Sequence, residues 1–318
     1  RQRRDGAAQT PPGRGTVQRG RPGADDDKSE LDPVQRLEKL GLEVYTYESG
    51  EGLDWDSLAG YEDLREEIES TVVMSLQDPD KFDEMAKKTR ARYESNRPRA
   101  VLFEGPPGTG KTLTARILAR RCGRPMVHVA VEKIVSKWYG ESSKNLAEVF
   151  DACEELGAVI FIDEVDSLAT SRNSGDMHEA TRRLLSVVLQ RVEGLEGASK
   201  STLICATNRR QDLDPALLSR FDLQLNFQLP NEKARRAIFG RYAKQLSDEG
   251  KDDFAKASNG LSCRDIKEVC EHAERRWVAK MIKKEVTDDT PPLSEYMLCL
   301  SHRRREAGPG VETPIDEF

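Results

Sequence analysis

The stretch AVLFEGPPGTGKTLTARILARR, residues 100–121, opens on four apolar residues, breaks into glycine and proline, and resumes with apolar residues at helical spacing. A strand, a tight turn and a helix in that order bring the positive end of the helix dipole to the turn. Inside it, GPPGTGKT (residues 105–112) fits the pattern G-x-x-x-x-G-K-[ST]. Gly105, Gly108 and Gly110 let backbone N–H groups point inward around a phosphate, with Pro106, Pro107 and Thr109 completing the loop and Leu113 following it. In such a loop Lys111 holds the β- and γ-phosphates of ATP, and Thr112 places its hydroxyl on Mg²⁺.

AVIFIDEVDSL (residues 158–168), whose Asp163 stands fifty-two residues after Lys111, supplies what the loop lacks. Its apolar run predicts a central strand whose C-terminal end delivers two adjacent carboxylates beside the phosphates. Asp163 is placed to organise the magnesium and its waters, and Glu164 to take a proton from the attacking water. A third strand, TLICAT (residues 202–207), is followed by Asn208, whose amide can orient that water without adding charge or can simply form a turn.

Further apolar runs at residues 99–105, 125–130 and 223–229 complete five predicted strands, with helix-sized segments at 112–121, 143–156 and 177–193 between them. Strands alternating with helices imply an α/β fold, an αβα sandwich with a five-stranded parallel sheet and right-handed crossovers. After Pro230 the strand signals stop. Residues 231–246, 252–258 and 262–285 read as helices, the last capped near Ser262, and form a small all-helical lid. The expected organisation is a disordered tail over residues 1–32, a core over 33–229 that opens with a short helix near Pro33 to Leu42, the lid over 230–286, and a C-terminal tail over 287–318 with one helix in LSEYMLCLSHRRREA.

The gross composition narrows the function. A net charge of −6 argues against a dedicated nucleic-acid binder, and HRRRE at residues 302–306 reads as a solvated helix face. No run approaches the ~20 apolar residues of a membrane-spanning helix. Cys122, Cys153, Cys205, Cys263, Cys270 and Cys299 form no close pair, so they read as buried apolar residues in a reducing compartment, either cytoplasm or organelle matrix. His128, His178, His272 and His302 stand in no metal-ligand pattern, so no structural metal is expected. The Arg-, Gly- and Pro-rich first thirty residues cannot offset the entropy of folding and read as a disordered segment or the remainder of an organellar targeting peptide.

Taken together, GPPGTGKT, VIFIDEVDSL, CATNRRQDLDPALLSRFD and KWYGESSKNLAEVF resemble the classical AAA branch of the AAA+ ATPases, in order and spacing, over about residues 54–284. The resemblance implies a P-loop core, a helical lid, and a ring of six subunits with ATP at each interface. It also implies roles that periodicity alone does not give. Arg220 in LLSRFD resembles the arginine finger that reaches the γ-phosphate on the neighbouring subunit, although position 218 is leucine where the family usually has a second arginine a few residues earlier. Arg264 stands where classical members carry a small residue and the wider superfamily a nucleotide-sensing arginine. Gly60 and Tyr61 match the segment that flanks the adenine. Glu193 and Gly194 in VEGLEG are close to the Asp-Gly-Phe relay between subunits, with Glu and Leu replacing Asp and Phe.

The same resemblance sets SKWYGES in the first pore loop, similar to that of spastin, katanin and the ATPases that extract tail-anchored proteins. Trp138 and Tyr139 would grip an extended chain, with Lys137 beside them and Gly140 as the flexible joint; without the resemblance the two rings read as partly buried core residues. A second channel segment would be residues 169–183, with Arg172, His178 and Glu179 in contact with substrate or the next subunit. No H-E-x-x-H motif of a fused protease is present in the sequence. The implied activity is Mg²⁺-dependent ATP hydrolysis by a hexamer that remodels or extracts protein substrates. The other readings are an AAA+ activator of one enzyme and a nucleic-acid-directed motor.

Overall fold

The computed structural model describes residues 31–46, 52–55, 58, 60–131, 142–167, 175–194 and 199–306. Its sheet is built from β1 (Glu43–Tyr45), β2 (Ala100–Glu104), β3 (Met126–Ala130), β4 (Val159–Asp163), β5 (Thr202–Thr207) and β6 (Leu223–Asn226), in the spatial order β1-β3-β4-β5-β2-β6. The five predicted strands run parallel. The sixth, β1, is an antiparallel edge strand, with Glu43 opposite His128 and Tyr45 opposite Met126.

The alternation of side chains along each strand divides the core in two. Ala100, Leu102, Val127, Val129, Ile160, Ile162, Leu203 and Cys205 face one layer, which is closed by α6 (Ser142–Leu156) and α7 (Gly175–Gly194). Val101, Phe103, Met126, Val159, Phe161, Ile204 and Ala206 face the other, which is closed by α5 (Lys111–Arg121) and by residues 68–76. At ~25 cal/mol per Å² of apolar surface, burial on both faces is what makes the central strands near-continuous hydrophobic runs.

Before β2, the short helix expected near Pro33 to Leu42 is present, and β1 and the helices that follow it go beyond the sequence reading. α1 (Pro33–Lys39) ends in a Schellman turn: Gly41, at φ +80, donates to Glu38 O at 2.8 Å, Leu42 donates to Leu37 O at 3.1 Å, and Leu37 and Leu42 both enter the core. That turn feeds β1, a strand too short to register as a periodic pattern. α2 (Glu62–Ile68) then runs through a π turn (Glu69–Val73) into α3 (Met74–Gln77), and α4 (Pro79–Thr89) follows. The π turn keeps Leu64, Ile68, Val72 and Leu76 on the core side at intervals of four, which drifts from a 3.6-residue stripe.

The short α8 (Pro215–Leu218) precedes β6, and beyond β6 the lid region holds α9 (Glu232–Tyr242), α10 (Asp248–Ala257), α11 (Cys263–Ile282) and α12 (Leu293–Glu306). These last four share a third core, in which Phe239 stacks on Phe254 and meets Tyr296 edge-on at 5.2 Å. The expected single helix over 231–246 stops at Tyr242, and the next begins at Asp248 rather than 252. Ser247 is the cause, its hydroxyl accepting the Gly250 N–H at 3.2 Å and starting α10 early. α12 contributes Tyr296, Cys299 and Leu300 to the same core. All six cysteines are free thiols. No helix among the described residues is long and apolar enough to cross a membrane.

Candidate functional site

β2 ends at Glu104, the loop turns over residues 105–110, and α5 starts at Lys111 with Gly110 as its N-cap. The loop glycines are required by backbone and by space. At Gly105 (φ +139) a Cβ would fall 2.0 Å from Phe227 O, and at Gly110 (φ +99) it would fall 2.6 Å from Leu58 Cδ1. The Thr109 hydroxyl closes the turn by donating to Pro106 O at 2.9 Å.

Lys111 is buried and donates three hydrogen bonds: to Gly105 O at 2.7 Å, to Pro106 O at 2.9 Å and to Asn208 Oδ1 at 2.8 Å. Burial pushes its ammonium down to about 8 against the pull of Asp163 and Asp166, and the Arg264 guanidinium pushes the same way. Thr112 Oγ1 donates to Asp163 Oδ2 at 3.0 Å. Burial alone would raise the Asp163 carboxyl; the neighbouring His128 imidazole, the Thr112 hydroxyl and the Glu164 N–H outweigh it and hold Asp163 below the usual carboxylate range. One hydroxyl and one ionised carboxylate at the foot of a phosphate loop are the hard oxygen donors that suit Mg²⁺, which keeps most of its remaining positions for water and phosphate.

Glu164 is exposed and sits at φ +52, an uncommon conformation for a residue with a side chain. The backbone is held there from both sides: its N–H donates to Asp163 Oδ1 at 3.0 Å, and its carbonyl accepts from Ser167 N at 2.9 Å, while Val165 N reaches across to Ala206 O on β5. Strain maintained by its surroundings at the end of a central strand is a recurrent mark of a working residue. Next to it, Thr207 Oγ1 donates to Asp166 Oδ1 at 2.8 Å and accepts the Arg209 N–H at 2.9 Å, which fixes the turn that presents Asn208.

These groups line one cleft of about 440 Å³ between the sheet and the helices after Pro230. Of the expected site residues it gathers Pro107, Gly108, Gly110, Lys111, Thr112, Leu113, Asp163, Glu164, Asn208 and Arg264. Gly60 and Tyr61 line a second cleft instead, of about 470 Å³, and from their segment it is Leu58 that reaches the first. Gly60 (φ +84) lies against α9, where a Cβ would sit 2.1 Å from Ala234 Cβ, and the Tyr61 hydroxyl donates to Gln228 O at 2.7 Å. Arg220 does not line the cleft of its own chain; it is half-buried just past α8 and donates to Ala216 O at 3.1 Å. Lys137, Trp138, Tyr139, Gly140 and Arg172 lie outside the described residues, and His178 and Glu179 fall in α7.

The lid supplies lining residues that the sequence reading does not contain: Ile238, Arg241, Tyr242, Cys263 and Lys267. Ile238 and Tyr242 are one helical turn apart on α9, a spacing that marks a shared face without saying whether it meets a core or a ligand. The lid also touches the phosphate loop directly, since Arg264 N donates to Gly108 O at 3.1 Å. At Gly108 (φ +77) a Cβ would stand 2.6 Å from Ser262 Oγ and 2.9 Å from Arg264 Cβ. Gly108→Ala is therefore expected to weaken ADP binding by about ten-fold or more, the left-handed backbone alone costing roughly 1–2 kcal/mol. Calorimetric titration with ADP checks this, and wild-type affinity would mean that the lid does not rest on this glycine.

Residues 101–229 match the family model described as "ATPase family associated with various cellular activities (AAA)". Among solved structures, the AAA domain of FIGL-1 in complex with ADP is similar at 25% identity with a TM-score of 0.69, over 92% of this chain and 94% of that one. A second structure of the FIGL-1 AAA domain gives the same identity and TM-score over 91% and 94%. The matched segment runs from the second residue of β2 to three residues past β6 and so holds the phosphate loop, both carboxylates and Asn208. A strand-turn-helix phosphate loop, the carboxylate pair on the neighbouring strand but one, and the agreement of both comparisons mark this chain as an ATPase whose residues 101–229 are similar to the AAA family.

Proposed function

We propose that the protein is a Mg²⁺-dependent ATP hydrolase that assembles as a hexamer and uses its cycle to thread and remodel protein substrates. The observation that carries the hydrolase chemistry is the convergence of Lys111, Thr112, Asp163 and Asn208 through hydrogen bonds at the loop, with Glu164 beside them. The Gly105 and Pro106 carbonyls and Asn208 hold the Lys111 ammonium; a bound triphosphate would take over that charge and leave Asn208 to orient the attacking water. Thr112 and Asp163 would hold Mg²⁺, which when bound neutralises charge between the β- and γ-phosphates. Glu164 is the base for the water. Leu58, Ile238 and Tyr242 offer the apolar surface for the base of the nucleotide, and Arg264 would meet its phosphates from the lid. The FIGL-1 AAA domain in complex with ADP supports a nucleotide in this cleft.

The placing of Arg220 supports assembly. An arginine finger must reach a γ-phosphate, and this one lies off the cleft of its own chain, which favours action on a neighbouring subunit. Glu193 and Gly194, at the end of α7, would relay nucleotide state across the same interface.

The threading step rests on the sequence SKWYGES, with Trp138 and Tyr139 as the grip, Lys137 and Gly140 beside them, and Arg172, His178 and Glu179 in the second channel segment. Stacking and backbone packing tolerate any substrate sequence, which a remodelling motor requires. The test is ATP-driven loss of fluorescence from a β-barrel protein carrying an unstructured tail. For the double variant Trp138→Ala, Tyr139→Ala, unfolding per ATP hydrolysed is expected to fall by about ten-fold or more, the loss typical of truncated aromatic anchors. Undiminished unfolding per ATP would take the two rings out of the grip.

A further inference from the structure

α12 is fastened to α11 at two separated points. At one, Glu295, almost fully buried, accepts from Arg276 Nε at 2.8 Å and from Lys280 Nζ. At the other, in the last turn of α12, Arg303 Nη2 donates to Asp265 Oδ1 at 2.6 Å and Nε reaches the same oxygen at 3.2 Å, with Glu268 Oε2 at 2.9 Å from Nη2.

The second point lies on the capping box of α11. Asp265 Oδ2 accepts from the Ser262 N–H at 3.0 Å and from the Ser262 hydroxyl at 2.6 Å, while Ser262 Oγ accepts the Asp265 N–H at 3.2 Å. One carboxylate is thus held on both oxygens, by the cap on one side and by Arg303 on the other. The same first turn bears on the phosphate loop, through Arg264 N to Gly108 O and through Ser262 Oγ packed against Gly108. A continuous series of contacts therefore leads from Arg303 through Asp265 and Ser262 to Gly108. Burial alone would raise the Asp265 carboxyl, but the Ser262 hydroxyl and the Arg303 guanidinium outweigh it and hold it below the usual range, so the pair stays charged.

We propose that Arg303 is a positioning residue for nucleotide binding, fixing the N-terminus of α11 on the phosphate loop by clamping the Asp265 carboxylate. Removing the guanidinium frees Asp265 to rotate, loosens the Ser262 cap, and lets the segment carrying Arg264 lift from Gly108. Lysine in its place keeps the charge and loses the planar fork. The other fastening, at Arg276 and Lys280, lies about three turns or more farther along α11. A loss specific to Arg303 therefore separates positioning of the loop from general loosening of the lid.

The experiment measures ADP affinity by calorimetry, and KM and kcat for ATP, in the full chain. Arg303→Ala is expected to raise the ADP Kd and the ATP KM about ten-fold with kcat changed less than about three-fold, the signature of lost binding that is uniform between ground and transition state. Arg303→Lys should recover part of that loss. Arg276→Ala, which breaks the other fastening, should lower Tm while leaving KM within about two-fold. An unchanged KM in a folded Arg303→Ala protein overturns the proposal, and so does an equal rise in Arg276→Ala. If Arg303→Ala does not fold, Arg303→Gln carries the same comparison. The inference rests on the cleft being the nucleotide site, and the wild-type ADP titration tests that separately: a wild type that binds no ADP fails the site, whereas a wild type that binds and a variant that matches it fails Arg303 alone.

Discussion

Glu164→Gln is expected to bind ATP with near wild-type affinity and to hydrolyse it about 10²–10⁴-fold more slowly, the usual contribution of a positioned general base. The substitution keeps the shape of the side chain while removing its charge and its capacity to take a proton. It leaves the rest of the site standing, because the contacts that hold this corner are made by the backbone: the Glu164 N–H to Asp163 Oδ1 and the Glu164 carbonyl to Ser167 N. The unusual φ of +52 is maintained by those same contacts and is as tolerable for glutamine as for glutamate. Thr112 and Asp163 still face each other at 3.0 Å, so the oxygen donors for a metal are intact. Binding and chemistry should therefore separate. Single-turnover phosphate release together with an ATP titration reads both, and release near the wild-type rate would remove Glu164 from the reaction.

The residues that meet at the cleft are legible in the sequence because their pattern is local. Lys111 and Thr112 lie within one eight-residue loop, and Asp163 and Glu164 follow a strand whose apolar run fixes where it ends. Parallel pairing then does what no single segment specifies: β4 beside β5 and β5 beside β2 set the two carboxylates and Asn208 against the loop. Double burial explains why those strands were easy to find, since Leu102 and Phe103 face different layers and both must be apolar.

What remained illegible depends on distant partners. β1 is three residues long and exists because Gly41 turns the chain back along β3. α4 buries only Ala86 along its length and so carries no stripe to read. Ile238 and Tyr242 themselves pack in the lid core, so periodicity assigns them to packing, and only the tertiary arrangement shows that they also border the cleft. HRRRE, which reads as a solvated helix face, contains Arg303; its partner Asp265 is thirty-eight residues away, beyond any pattern of local charge. Gly60 and Tyr61 illustrate the converse limit, since a motif identifies a segment, while the atoms that reach the cleft belong to Leu58 two residues earlier.

Arg220→Ala is expected to lower ATP turnover by about 10³–10⁵-fold, the range an arginine finger supplies in related P-loop systems, while leaving the nucleotide affinity of the isolated subunit nearly unchanged. The structure gives the residue a rigid mount. Phe221 is buried in the core beside it, and the Asp222 carboxylate accepts the N–H groups of Arg99 and Ala100 at 2.8 and 3.2 Å, tying the segment to the start of β2. A residue mounted so firmly and set off its own cleft suits a target on another subunit. Mixing distinguishes this from any role within one chain. Subunits carrying Glu164→Gln and subunits carrying Arg220→Ala are each expected to be inactive alone, yet in the proposed ring a mixture would create interfaces where an intact Glu164 faces an intact Arg220. With random assembly at equal amounts, about a quarter of head-to-tail interfaces are complete, and turnover should recover to that order. If Arg220 acts within its own chain, no mixture restores activity, because every subunit then lacks either its base or its arginine.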